Sequence, residues 1–161
     1  MALGDNTLRS AAGNSQRGRN PYMVQTTLNW ATALSDKGSA LAAADVIPVI
    51  AVPKGTMVLN AGIEVDTATD GSTFTVDLGM VDADVFVDGF DGTSAAAVVA
   101  QNPAAYQPVM AVADDNIDVT IATLSGGAVT SGKFRVWAVL MHCSDMGNDG
   151  AANEVARDYL A

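Results

Sequence analysis

The two side chains best suited to nucleophilic or metal chemistry, His142 and Cys143, are the chain's single histidine and single cysteine, and they are neighbours. They fall at the end of a predicted strand, where successive side chains point to opposite faces, so they cannot converge on one substrate atom or one metal ion. Both are expected to serve structure, in the core or at an interface. The segment Gly127-Ala128-Val129-Thr130-Ser131-Gly132-Lys133-Phe134 nearly spells the phosphate-binding pattern G-x-x-x-x-G-K-[ST]. Its last position fails, because Phe134 stands where a hydroxyl would hold magnesium. The residues that follow read as a strand, whereas a phosphate loop opens a helix whose amino end meets the phosphates. The segment is expected to be a hairpin connection with turn-forming glycines.

Asp82, Asp84, Asp88 and Asp91, interleaved with Gly89 and Gly92, form the sharpest acidic constellation. Calcium takes six to eight oxygens, and such a loop can supply carboxylates. The register does not fit a helix-loop-helix calcium site: Phe86 falls on the third ligand position and no glutamate follows at the twelfth. Solvated turn carboxylates are the expectation here, as for Asp114, Asp115 and Asp118. Paired carboxylates of a glycosidase meet only in space, but an aromatic content of 6% argues against a sugar groove. The glycine-rich phosphate and uridine segments of trimeric β-fold nucleotide hydrolases are not found. The expectation is a protein that is not an enzyme, with no catalytic residues, no metal and no cofactor.

The elements that would position these residues are short strands. Residues 1–20 have no apolar period and end at Pro21; they read as an extended arm, able to reach about 66–72 Å when stretched. Tyr22, Val24, Thr26, Leu28 and Trp30 then alternate with polar neighbours, as in a strand with one buried face. Residues 31–44 suit a short helix or a loop, with Gly38 weakening the helix. Residues 45–53, apolar on both faces and broken by Pro48 and Pro53, suit a sheet edge, since proline removes a ladder donor. Met57, Leu59, Ala61, Ile63 and Val65 are expected to face inward, and Asp70-Gly71-Ser72 to turn that strand into a hairpin with Phe74, Val76 and Leu78. Residues 80–105 form a long excursion, residues 106–112 a strand, and Ile117, Val119 and Ile121 another. Lys133 to Cys143, apolar on both faces, should lie centrally or at an interface. Residues 151–161 suit a turn or two of amphipathic helix through Val155, Tyr159 and Leu160. The absence of strand-to-helix alternation predicts an all-β antiparallel sandwich, with a jelly roll as the leading topology. The division is an arm over 1–20, a sandwich over 21–145 and a tail over 146–161.

Composition bounds the partners. A chain of 161 residues fits one domain that buries about 70% of its unfolded surface. Only 16% of residues are charged against about 25% in an average soluble domain, so much of the outside must be weakly polar or apolar, which suits burial against other subunits. The net charge of −10 is uneven. The first twenty residues hold Arg9, Arg17 and Arg19 against Asp5, a net +2, which leaves the body at −12. Such a body repels nucleic acid, whose binding relies on Lys and Arg neutralising phosphates. No apolar run reaches the ~18 residues of a membrane span, and residues 1–20 lack the apolar core of a signal peptide. One cysteine excludes an internal disulfide and fits folding in a reducing cytoplasm.

Asn20-Pro21-Tyr22, the run Lys37 to Ile47, the turn Val52-Pro53-Lys54-Gly55-Thr56, the segment Asp70-Gly71-Ser72-Thr73 and the closing Phe134-Arg135-Val136-Trp137-Ala138 resemble small virion proteins of tailed phages, cyanobacterial and marine ones among them. The resemblance, over about residues 20–140, is to jelly-roll head decoration (cement) proteins, and its motifs are soft turn and strand signatures. It implies a homotrimer on the outer surface of an icosahedral head, made in the host cytoplasm, that binds the major capsid protein and staples neighbouring capsomers, with no direct nucleic-acid or membrane contact. Within that reading Arg9, Arg17 and Arg19 dock to acidic capsid surface, and Tyr22 and Trp30 act as buried anchors at the base of the arm. The alternative is a receptor- or glycan-binding head module using the loop 80–105. A major capsid subunit is not expected from so short a chain without a long helix.

Overall fold

Alternation of apolar and polar residues after Pro21 produces a strand whose even positions turn inward: Leu28 is buried, while Met23, Gln25 and Thr27 are exposed. This and the other elements are seen in a computed structural model, which describes residues 20–94 and 108–143. The order is β1 (Tyr22–Asn29), α1 (Trp30–Lys37), β2 (Val46–Val52), β3 (Thr56–Thr67), β4 (Thr73–Gly79), β5 (Val87–Asp91), β6 (Val109–Met110), β7 (Asp115–Ser125) and β8 (Lys133–His142). The arm 1–19, part of the excursion, Tyr106 and the tail after Cys143 lie outside the described residues.

The strands form two four-stranded sheets. The first runs β1-β8-β3-β6 and the second β2-β7-β4-β5. The antiparallel pairs β1 with β8, β2 with β7, β3 with β6 and β4 with β5 are nested. The chain is thus a long hairpin of strands wrapped into a sandwich, which is the jelly roll. β8 is central, as its two apolar faces required, and β2 is an edge strand, as its prolines required. The β2–β7 register shifts between Pro48 and Ile50, so the missing N–H of Pro48 sits beside an irregularity that accommodates it.

Three expectations are corrected by this topology. The strands 56–67 and 73–79 do not form a hairpin: β3 belongs to the first sheet and β4 to the second, so Asp70-Gly71-Ser72 carries the chain across the sandwich. The same holds for residues 126–132, which join β7 to β8 in the other sheet rather than closing a hairpin. These crossings hold each other. The Asp70 carboxylate accepts the backbone N–H of Thr130 at 2.8 Å and of Ser131 at 3.0 Å, and also the Thr130 hydroxyl. Third, Met57 and Leu59 do not face inward with Ala61, Ile63 and Val65. The register of β3 against β8 shifts between Val58 and Asn60, and this extra residue reverses the parity. Thr56 and Val58 therefore point into the core, leaving Met57 outside. Of the strand expected over 106–112, only Val109 and Met110 pair within the described residues.

Gly38 ends the helix rather than weakening it. It adopts φ +68° and donates to the carbonyls of Leu34 and Ser35, a left-handed cap that glycine reaches without strain. Asn29 caps the other end by accepting from Ala31 N–H at 3.0 Å. The short helix thus begins on Trp30, which is wholly enclosed. Its ring meets Phe74 of the second sheet edge-on at 4.8 Å and Phe134 of the first at 5.2 Å. This aromatic cluster ties the sheets together. Gly92 passes so close that a Cβ there would lie 2.4 Å from Phe134 Cζ.

Candidate interaction surfaces

The residues with chemical potential are committed to the fold. His142 is held at both ring nitrogens, with the Tyr22 hydroxyl 3.0 Å from Nε2 and the Thr56 hydroxyl 3.1 Å from Nδ1. The Cys143 thiol turns instead to the Met141 carbonyl. In the segment 127–134, the N–H groups of Thr130 and Ser131 are occupied by Asp70, an anion from the chain itself. β8 follows, with no helix to receive a phosphate. Those bonds favour the ionised carboxylate and hold the Asp70 pKa down to about 2, with the Thr130 hydroxyl the leading cause.

In the acidic loop, Asp91 caps Thr93 through its N–H at 2.8 Å and hydroxyl at 2.7 Å, and Asp77 accepts Gly89 N–H at 2.7 Å. Asp84 is pushed above the ordinary carboxylate range, chiefly by the charge of Asp82. Among the described residues no three His, Cys, Asp or Glu side chains are grouped to hold a metal ion. Asp114 is likewise used locally, accepting Lys54 N–H at 2.9 Å.

Of the residues expected to grip a partner, Arg9, Arg17 and Arg19 lie outside the described residues. Tyr22 is at the surface, 37% exposed, with its ring 5.4 Å from that of His142. Trp30 is 0% exposed within its own chain. It cannot touch a partner; it fixes the end of β1 from inside. Tyr22 and Trp30 therefore mark opposite ends of one strand and are not brought together.

Among the described residues, the outer faces of the two sheets offer the broadest surfaces, and they differ. On the first, the ladder register sets Met23 beside Val139, Met141 beside Met57, and Met57 beside Met110. Met23 is 60% exposed and Met110 37%, whereas Trp137, Val139 and Met141 are half-buried. Trp137 lies flat enough over Gly62 that a Cβ there would sit 2.6 Å from its ring. Further along, Arg135 bonds Glu64 at 3.2 Å and approaches Asp66 at 3.9 Å. The charged residues of the four strands are Lys133, Arg135, Glu64 and Asp66, so they sum to zero.

The second sheet's strands carry Asp77, Asp88, Asp91, Asp115 and Asp118 and no basic residue. Asp118 is pushed above the ordinary range, first by burial and then by Asp115, and its Oδ1 is enclosed without a hydrogen-bond partner. The methionine face was missed at the sequence level because its members, Met23, Met57, Met110 and Met141, are far apart in the chain. The one signal was that β8 is apolar on both sides.

No known family matches the sequence, and no curated protein does either. Solved structures do match in shape. A chain of the capsid of Ralstonia phage GP4 superposes with a TM-score of 0.58 at 16% identity, over 82% of this chain and 90% of that one. A chain of the capsid asymmetric unit of cyanophage Pam1 gives 0.57 at 16% identity, over 80% and 89%. One from the acidic stable capsid of Helicobacter pylori bacteriophage KHP30 gives 0.52 at 14% identity, over 78% and 91%. At these identities the likeness is one of fold, and the fold is a jelly roll that this chain shares with chains of three phage capsids.

Proposed function

We infer that the chain is a structural component of a phage virion, and more narrowly a decoration protein that forms a homotrimer on the outside of the head. There it binds the major capsid protein and staples neighbouring capsomers. The observation that carries this reading is the fold match, which takes in about nine-tenths of each of three phage-capsid chains. The binding chemistry agrees with it. Among the described residues the two sheets end at β1, β6, β2 and β5; sheet edges gain from being covered, and a cyclic oligomer can cover some of them.

Arg9, Arg17 and Arg19 precede β1 in an arm of opposite charge to the body, and they dock to acidic surface on the shell. A second contact tethered in this way forms at high effective concentration, so modest interfaces add up to firm attachment. Tyr22 anchors the base of the arm, with Trp30 holding the same strand from within. A protein that binds only the assembled lattice stabilises that lattice by linkage. The work of the protein is then binding, without catalysis, and its place is the virion surface after synthesis in the host cytoplasm.

Deletion of residues 1–19 tests this. The truncated chain should keep its fold and its oligomeric mass but fail to sediment with heads of the encoding phage, whereas the full chain decorates them in electron micrographs. Equal decoration by both would remove the arm from the account. Absence of decoration by the full chain would remove the shell.

A further inference from the structure

We propose that copies of this chain join through the outer face of the first sheet, the face bearing Met23, Met57, Met110, Trp137, Val139 and Met141. This rests on the reading of the protein as a self-associating shell component and names the surface that does the joining. Charge selects it. Copies of one chain carry identical charges, and around a rotation axis the equivalent residues of neighbouring copies crowd together. The surface that lines the axis must therefore not set like charges against each other at close range. The second sheet fails that condition, with five aspartates in its strands and no cation. The first meets it: its strands are neutral overall, and Arg135 is already matched by Glu64 and Asp66. A contact with a different protein is under no such constraint, which is why the neutral face is assigned to a second copy.

The composition of the face is that of an interface core. Methionine and tryptophan are enriched in the centres of protein contacts, whereas Asp, Glu and Lys are depleted. Flexible thioethers also let one surface repack against its neighbour. Four of the seven methionines gather here. Strands rise about 3.3 Å per residue and lie about 4.8 Å apart, so eight paired residues across β1, β8 and β3 outline roughly 26 by 10–14 Å, and with the two residues of β6 the face is on the order of 300–400 Å². Specific interfaces bury about 800 Å² on each partner. The face supplies roughly half of that, and the edge of β1, which ends the sheet among the described residues, runs alongside it to supply the remainder.

The test is the mass of the full chain in solution, by light scattering or sedimentation, with head binding measured on the same samples. The wild type should run as a trimer of the 16.4 kDa chain, and a Met23→Asp/Met110→Asp double variant as the single chain. Both positions are exposed in the lone chain, so circular dichroism and the melting transition should match the wild type. Met23→Asp alone should raise the dissociation constant at least tenfold. Val46→Asp, a change at a comparably exposed apolar residue on the second sheet, should leave the mass unchanged.

A wild type that stays monomeric overturns the proposal, and if it still coats heads, the shell function survives without it. A double variant that keeps the oligomer but loses head binding also overturns the proposal and gives the face to the shell. A double variant that falls to monomers upholds the proposal even if no head binding is found for either protein, in which case the proposed function alone fails.

Discussion

The two sheets share one core and one length scale, yet their outer faces are different materials. The first is nearly neutral and paved with methionine, valine and a tryptophan lying on glycine. The second is hydroxyl- and carboxylate-bearing, with Asp118 held partly away from water beside Asp115. The difference shows that low overall charge need not be spread evenly. Here the strands of the second sheet carry five aspartates and no cation. The proposed joining face and the acidic face thus lie on opposite sides of a sandwich about 10 Å thick between sheets.

The contrast can be broken most forcefully at Gly62. Valine there would drive into the Trp137 ring, whose nearest atom would be 2.6 Å from the new Cβ. The chain should lose about 2 kcal/mol in denaturant unfolding, with Trp137 emission shifting to the red. The matched change Thr75→Val on the second sheet should stay within about 0.5 kcal/mol. Equal losses would mean that the first face is no more tightly built than the other.

Asp118 sharpens the comparison from the acidic side. Its folded pKa lies above its unfolded value, so the ionised form costs the native state stability once the pH exceeds that window. Asp118→Asn should therefore raise stability at pH 7 by about 0.5–1 kcal/mol, discounted for partial exposure. The gain should shrink as the pH falls below the raised pKa, where the wild-type carboxyl is itself neutral. A loss of stability at pH 7 would show that the charge is satisfied on this face.

The smallest effect is expected at Asp70, where the two crossings meet. Its pKa is depressed to about 2, so its contribution is fully present above the unfolded value near 3.8 and is lost as the pH falls through about 2. Because the carboxylate is at the surface, Asp70→Ala should cost no more than about 1 kcal/mol at pH 7 and almost nothing at pH 2. Thermal melts of both proteins at the two pH values measure this. A constant difference would place the effect in packing rather than in charge.

What could be read from the sequence was whatever a single strand records about itself. The alternation of Tyr22 to Leu28 gave the buried side of β1, the proline at position 48 gave an edge, and the doubly apolar run after Lys133 gave a central strand. A period of two carries no information about which strand lies alongside, so β3 and β4 looked like a hairpin although they lie in opposite sheets. The bulge near Leu59 was also silent, because Met57 and Leu59 are as apolar as the residues that do face inward. Lone polar signals were misleading in the same way: the Asp70 carboxylate, four positions beyond the end of one strand's pattern, sits on Thr130 and Ser131 some sixty residues later. The methionine face needed three separate registers before it existed at all.

The nested pairing of the strands also governs how the chain can come into being. Among the described residues the first strand is bonded to the last, and β8 is the neighbour of β1 and the wedge between β1 and β3. On a ribosome, which extends the chain by about 5–20 residues per second, β1 would wait without a ladder until residues 133–142 emerge. The β4–β5 pair can close early, since its strands are neighbours in sequence, but the first sheet is completed only once β8 has emerged. Such high contact order predicts folding in milliseconds to seconds rather than microseconds. A premature stop before residue 133 would leave two strands of the methionine face with nothing between them, an open invitation to aggregate.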